Sequence, residues 1–337
     1  MYKINFYDVL KQLYYDLLGK DSQRGITLTY SWLCNQWGHF GLGFVPAILM
    51  GTYSYLQIFG LDTIIVAGLL ICVLATLFEI INFLWTLFVT SRHKTFDLDY
   101  SNVAFDTFTD IIFFYIGGLS AIQVLSHIFN ITVSSVLLYL FIAIGVYALL
   151  VFPYWYVSKM YIQNARFPFQ CRLSQWKFSI PNSVKKQILE ALKSNESKHI
   201  LLFGGQNTGK TSLAVGFATE RAIKRKPVVY TTAIKSSPFF LSSDETIREK
   251  DHVLWSWRQA SCMVIDDINV GTPVPDCLTP DFFRSLIFTP QYSEINKKAL
   301  CCQTVIWVIG GREHKNNWLD LIAEIGIDKQ NILIVDL

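Results

Sequence analysis

The stretch that decides the fold of half this chain reads His199-Ile200-Leu201-Leu202-Phe203-Gly204-Gly205-Gln206-Asn207-Thr208-Gly209-Lys210-Thr211-Ser212. His199–Phe203 is a short apolar strand, and Leu213, Val215, Phe217 and Ala218 continue at helical spacing. Between them stands G-x-x-x-x-G-K-[ST], in the strand–loop–helix setting the pattern requires. The residue types suit a phosphate cradle. Glycines let successive backbone N–H groups turn toward phosphate oxygens, and the helix N-terminus adds its dipole. Lys210 is expected to reach the β and γ phosphates and Thr211 to bind Mg²⁺, so ATP and Mg²⁺ are the expected cofactors. Gly204, Gly205, Gln206, Asn207, Thr208, Gly209 and Ser212 complete the nucleotide-contacting set.

Further along, Cys262-Met263-Val264-Ile265-Asp266-Asp267 is an apolar strand ending in two carboxylates, 56 residues after Lys210. Asp266 is expected to hold the magnesium through water beside Thr211. Asp267, with Lys210 a catalytic candidate, stands where a carboxylate can orient or deprotonate the attacking water. Three more apolar runs, Pro227–Thr231, Gln303–Ile309 and Asn331–Val335, complete a five-stranded parallel sheet with helices between. Such connections make a doubly wound α/β sheet with its ligand at the carboxyl ends of the strands.

The run G-G-Q-N-T-G-K-T-S-L-A-V-G-F-A-T-E-R-A-I-K-R-K-P-V-V-Y-T-T-A, followed by M-V-I-D-D-I-N, resembles the AAA+ ATPases of the IstB/DnaC group, relatives of the replication initiator DnaA, over residues 198–311. The resemblance implies a P-loop NTPase of the additional-strand type. By position it carries over Gly204, Gly209, Lys210 and Thr211 as nucleotide ligands, Asp266 as the magnesium residue and Asp267 as the catalytic carboxylate. There are departures. Thr304–Ile309 runs into Gly310-Gly311, where the family has a polar sensor, and Gln291-Tyr292 stands where an arginine finger is often found. The sequence reaches Leu337 straight after the fifth strand, so no helical lid is expected. Arg284 and Arg312 are either substitutes for the missing arginines or surface residues.

The rest of the sequence is of another kind. The chain of 337 residues is 52% hydrophobic and 16% charged, against roughly 45–50% and 25% in soluble proteins. From His39 to Tyr156 there are two Lys/Arg and six Asp/Glu; from Val157 onward the balance is +6. One part is made for lipid and the other for water, which excludes a simple cytosolic enzyme, a disordered chain and a disulfide-stapled secreted module. Seven scattered cysteines form no C-x-x-C pair and give no metal site. Four segments, Phe40–Phe59, Thr63–Val89, Phe108–Leu125 and Ile131–Trp155, are long enough to cross a bilayer as helices. The expected order is a cytoplasmic amphipathic segment (1–38), an all-α four-helix transmembrane domain (39–156), a linker with a connector helix over Val184–Leu192 capped by Asn182 or Ser183 (157–197), and the NTPase domain (198–337).

Lys3, Lys11, Lys20 and Arg24 precede the first span, Arg92 and Lys94 lie between the second and third, and Lys159, Arg166 and Arg172 follow the fourth. The positive-inside rule then puts both termini in the cytoplasm, as in a multi-pass protein of a bacterial inner membrane. Tyr2–Leu18 is amphipathic, suited to the membrane interface or to packing on the soluble half. Glu79 lies about 20 Å from the cytoplasmic end of its span, where an ionisable group usually faces a bundle interior or a cavity. His39, Asp106 and Asp110 either join it in a polar site or mark interfaces and helix ends; Glu79 and Asp110 are the membrane candidates. W-G-H-F-x-x-G-F, F-E-I-I-N-F and D-T-F-T-D-I-I-F-F-Y-I-G-G are similar to VanZ-type small membrane proteins over residues 37–150.

Two features bear on partners. Ser236–Trp257, with Phe239, Phe240, Trp255 and Trp257, offers a place for a protein contact. Arg221, Lys224, Arg225 and Lys226 suit a helix C-terminus better than a nucleic-acid patch. The expectation is a membrane-anchored ATPase, as a homo-oligomer in the bilayer, whose nucleotide cycle drives or gates the membrane domain or a partner. The alternatives are a nucleotide-controlled switch for signalling or defence with little turnover, a transporter using Glu79, and DNA work at the membrane.

Overall fold

The computed structural model describes residues 2–18, 26–58, 62–88, 95–194, 196–251, 253–269, 278–311 and 315–337. Lys20, Arg24, Arg92, Lys94, Cys277 and Arg312 lie outside them. Two compact units result: residues 14–92 with 97–156, and residues 1–13, 93–96 and 157–337.

The first unit is helical. Its main elements are α2 (Leu28–Ile58), α3 (Asp62–Phe88), α4 (Tyr100–Ile128) and the greater part of α5 (Ser135–Asn164), preceded by α1 (Phe6–Leu18), which starts in the other unit. Among the described residues, three helices, Thr63–Phe88, Tyr100–Ile128 and Ser135–Asn164, are long and apolar enough to cross a membrane. The expected first span, Phe40–Phe59, is not a separate helix but the later part of α2, which starts at Leu28 and carries Ser31, Asn35, Gln36 and His39 in its first turns. His39 is therefore mid-helix. Likewise α4 begins at Tyr100, capped by the Asp99 carboxylate accepting from the Asn102 N–H at 3.2 Å. Asp106 and Asp110 thus sit beyond the first turn, where the helix dipole no longer favours them. Asn130, at φ 54°, ends the preceding turn, which delays α5 from the expected Ile131 to Ser135.

Glycines bring α2 and α4 together. A Cβ at Gly43 would lie 2.2 Å from the Phe114 carbonyl oxygen, and one at Gly117 2.1 Å from that of Phe40. Small residues at such crossings let backbones approach where helix association depends on packing. On α1, Phe6, Tyr7, Tyr14 and Leu17 are exposed while Asp8 and Asp16 are buried.

The second unit is built on β1 (His199–Phe203), β2 (Val228–Thr232), β3 (Cys262–Ile268), β4 (Thr304–Ile309) and β5 (Ile332–Asp336), all parallel in the order β2-β3-β4-β1-β5. Six strand boundaries shift by one residue from expectation. Helices α6 (Asn182–Lys193), α7 (Lys210–Ile223), α8 (Ser237–Leu241), α9 (Asp244–Asp251), α10 (Pro280–Ile287), α11 (Ser293–Cys301) and α12 (Lys315–Ile325) surround it. Ile200, Leu202, Val264 and Ile306 pack with α7 on one face; Leu201, Phe203, Ile265 and Trp307 pack with Phe283 and Trp318 on the other. Cover on both faces explains why the strands read as unbroken apolar runs. The strand beside β1 on the β3 side is β4, whereas β2, which lies between the two motifs in sequence, is at the sheet edge.

Two local expectations are corrected. Neither Asn182 nor Ser183 caps α6: Pro181 occupies that place, its carbonyl accepting from the Lys185 N–H at 3.0 Å. Phe240, Trp255 and Trp257 are buried core residues rather than an exposed contact, with both indole N–H groups donating to backbone carbonyls, of Val228 and Phe239 respectively. Buried indoles need such partners.

Candidate functional site

Parallel strands bring their carboxyl ends to one rim, and there the chain leaves β1 through Gly204–Gly209 and enters α7 at Lys210. Gly209 is the hinge of this loop, at φ 86°. A Cβ there would meet the Phe178 ring at 2.4 Å and the Trp176 indole nitrogen at 2.9 Å, so glycine is required by both conformation and space. Asn207 is also left-handed, at φ 59°. No side chain caps α7 at Gly209, and the first N–H groups of a helix have no partner within it.

Lys210 folds back over the loop, its Nζ donating to the carbonyl of Gly204 at 2.8 Å and to that of Gly205. Burial pulls its ammonium below the ordinary lysine value, against the Asp266 charge, which raises it. The Thr211 hydroxyl donates to Asp266 Oδ1 at 3.1 Å. Thr208 and Ser212 bond within the loop, to the carbonyls of Gly205 and Gly209. Gln206, Asn207, Lys210 and Thr211 of the loop and helix start and the two carboxylates Asp266 and Asp267 line one open cleft of about 380 Å³.

Asp266 is 1% exposed. Its Oδ1 also accepts from the Asp267 N–H at 2.8 Å, and its Oδ2 from the Tyr230 hydroxyl at 2.7 Å. The β3–β4 register shifts between Ile265 and Ile268, and Asp267 takes φ 57°. This irregularity breaks the strand's alternation and turns Asp267 outward beside its buried neighbour. Burial, and then the Asp266 charge, push the Asp267 carboxyl above the ordinary carboxylate range. Among the described residues no three His, Cys, Asp or Glu gather to hold a metal. The Thr211–Asp266 pair nevertheless fits Mg²⁺, which takes one or two protein oxygens and leaves its other positions to water and phosphate.

The departures noted in sequence have a structural counterpart. Val308 and Gly310 line the cleft from β4 and bring no polar side chain. Arg284 is engaged with Glu324 at 2.7 Å and with Asp281. Arg221 is buried and donates to the carbonyls of Ala191 and Ser194 at the end of α6.

Sequence reading missed Tyr230, Trp176 and Phe178. The Trp176 indole donates to the Gly209 carbonyl at 2.8 Å. Trp176 also packs on Phe96, 5.9 Å between centroids, and the Thr95 hydroxyl donates to the Phe178 carbonyl.

In the helical unit, Glu79 is 2% exposed. Asp110 Oδ1 lies 3.4 Å from both His39 Nε2 and Gln36 Nε2, so His39 is tied to Asp110 rather than standing alone.

The chain matches no protein-family model, and no curated protein matches it.

Proposed function

We propose that this is a membrane-anchored ATP-binding protein and Mg²⁺-dependent ATPase whose nucleotide cycle drives or gates its helical unit or a partner. The carrying observation is the meeting of Lys210, Thr211, Asp266 and Asp267 in one cleft at the strand ends, beside a helix start that no side chain caps. The order β3-β4-β1, with a strand between the two motif strands, fits the additional-strand class that the sequence resemblance implies.

In this reading the loop N–H groups hold the phosphates, and Lys210 exchanges the Gly204 and Gly205 carbonyls for the β and γ oxygens. Thr211 and Asp266 would hold the magnesium, which when bound would supply charge neutralisation at the phosphates. Asp267, with its raised proton affinity, accepts a proton from the attacking water more readily than an ordinary aspartate. The proposal that the cycle acts on the helical unit draws on the chain order of Thr95 and Phe96. They follow α3 and lead into α4 in sequence, yet pack on the Trp176–Phe178 pair that touches Gly209. The proposed setting is a bacterial inner membrane with both termini cytoplasmic and several copies associated.

A switch with little turnover is the second reading. It is favoured by Gly310 in the sensor place and by the engagement of Arg284 with Glu324. Phosphate release and ATP binding by the purified full chain separate the two. Turnover abolished by Lys210→Ala and Asp267→Asn supports the ATPase, tight binding without turnover supports the switch, and no ATP binding by the wild type defeats both.

A further inference from the structure

We infer that Tyr230 is a positioning residue for the candidate metal site, fixing the Asp266 carboxylate so that one oxygen stays turned toward Thr211. The inference rests on the nucleotide reading above and deepens it. In the parallel register of β2 and β3, Thr232 lies opposite Asp266 and Tyr230 opposite Val264. Tyr230 is therefore two residues back on the same face, and an aromatic side chain is long enough to reach its diagonal neighbour. The reach is realised in the 2.7 Å bond from its hydroxyl to Asp266 Oδ2.

Asp266 is shut off from solvent, so its orientation is set by protein donors alone. Thr211 and the Asp267 N–H engage Oδ1; only Tyr230 engages Oδ2 among the hydrogen bonds described. The phenol thus prevents the carboxylate from rotating away from Thr211. Its own root is held, because the Tyr230 N–H donates to the Ala165 carbonyl at 3.0 Å, just past the end of α5. A phenylalanine would fill the same space; the hydroxyl is needed only by Asp266. Partners of this kind, standing behind a metal's ligands, change metal affinity by about 10–100-fold when removed.

The test uses the full chain in detergent, with Mn²⁺ and ADP as probes and electron paramagnetic resonance reporting bound Mn²⁺. Tyr230→Phe should weaken Mn²⁺ binding about 10-fold, while ADP binding in EDTA stays unchanged. Added to Asp266→Asn, it should weaken Mn²⁺ binding no further. Tyr230→Phe with wild-type Mn²⁺ affinity, or equal losses with and without metal, overturns the inference. If Tyr230→Phe lowers the melting temperature too far to assay, recovery of that temperature in the double variant with Asp266→Asn supports the link, and no recovery overturns it. A wild-type chain that binds neither ADP nor Mn²⁺·ADP fails at the nucleotide reading itself, a separate outcome.

Discussion

The two units treat polar groups in opposite ways. In the sheet unit, polar groups converge on one rim, where Thr211, Tyr230 and the Asp267 N–H all bond Asp266 beside Lys210, around an irregular backbone. In the helical unit they occur as separate contacts along regular helices: Trp155 to Thr109, Thr76 to Tyr115, Tyr156 to Asp16, and His39 with Gln36 on Asp110. A helix interior spends its backbone groups on itself, which is what allows it to stand in lipid. A loop with left-handed residues leaves N–H groups over. Backbone irregularity, more than side-chain polarity, separates the proposed phosphate-binding region from the helical one.

The comparison is broken most directly at Lys210. Lys210→Ala should lower phosphate release by roughly 10²–10³-fold, while Glu79→Gln in the helical unit should leave it near wild type. Comparable losses in a phosphate-release assay would mean that the units do not divide the chemistry in this way.

A pH prediction follows from His199, which is fully buried with Nε2 against the Leu300 carbonyl and Nδ1 accepting from the Trp307 indole. Burial pulls its pKa down to about 4, partly opposed by the Leu300 contact. An unfolded histidine titrates near 6.5. Between those values the unfolded chain binds a proton that the native chain refuses, so stability should fall as pH drops from about 6.5 to 4, by up to about 3 kcal/mol. Melting curves across that window measure the slope, and His199→Gln should flatten it.

Glycines sharpen the contrast on a smaller scale. Gly209→Ala should destabilise by more than about 1 kcal/mol, from its positive φ and its approach to Phe178 and Trp176. Gly145→Ala, with open space around a Cβ on α5, should cost nothing measurable. Equal melting temperatures for the two variants would remove the claim that the loop is the constrained element. A smaller loss than at Gly209 belongs to Trp155→Phe, which keeps an aromatic ring beside Phe105 and removes the indole bond to Thr109. About 1 kcal/mol is expected, read from thermal unfolding in detergent.

Much of this architecture was legible before any coordinates. Buried parallel strands have few ways to be written other than as short apolar runs, and all five were found, with ends displaced by at most one residue. The approach of Thr211 to Asp266 was legible, because both lie at the carboxyl ends of strands or one turn beyond. Tyr230 was not, since its partner is 36 positions away and becomes its neighbour only once the β2–β3 register is fixed. The aromatic run from Phe239 to Trp257 was misplaced for a related reason: polar surroundings in sequence conceal rings that fold under them. In the helical unit, apolar length located helices but not their ends. Leu28 and Tyr100 open α2 and α4 with polar turns that hydropathy alone assigns to loops.

Trp176 gives the chain an optical probe of its own. Its indole is bonded to the carbonyl of the loop's last glycine, so its ultraviolet emission is coupled to that peptide's orientation. The chain has nine tryptophans, and subtracting the spectrum of a Trp176→Phe protein isolates this one. Whether the proposed nucleotide occupies the loop then becomes visible in unlabelled protein, in real time, by mixing alone.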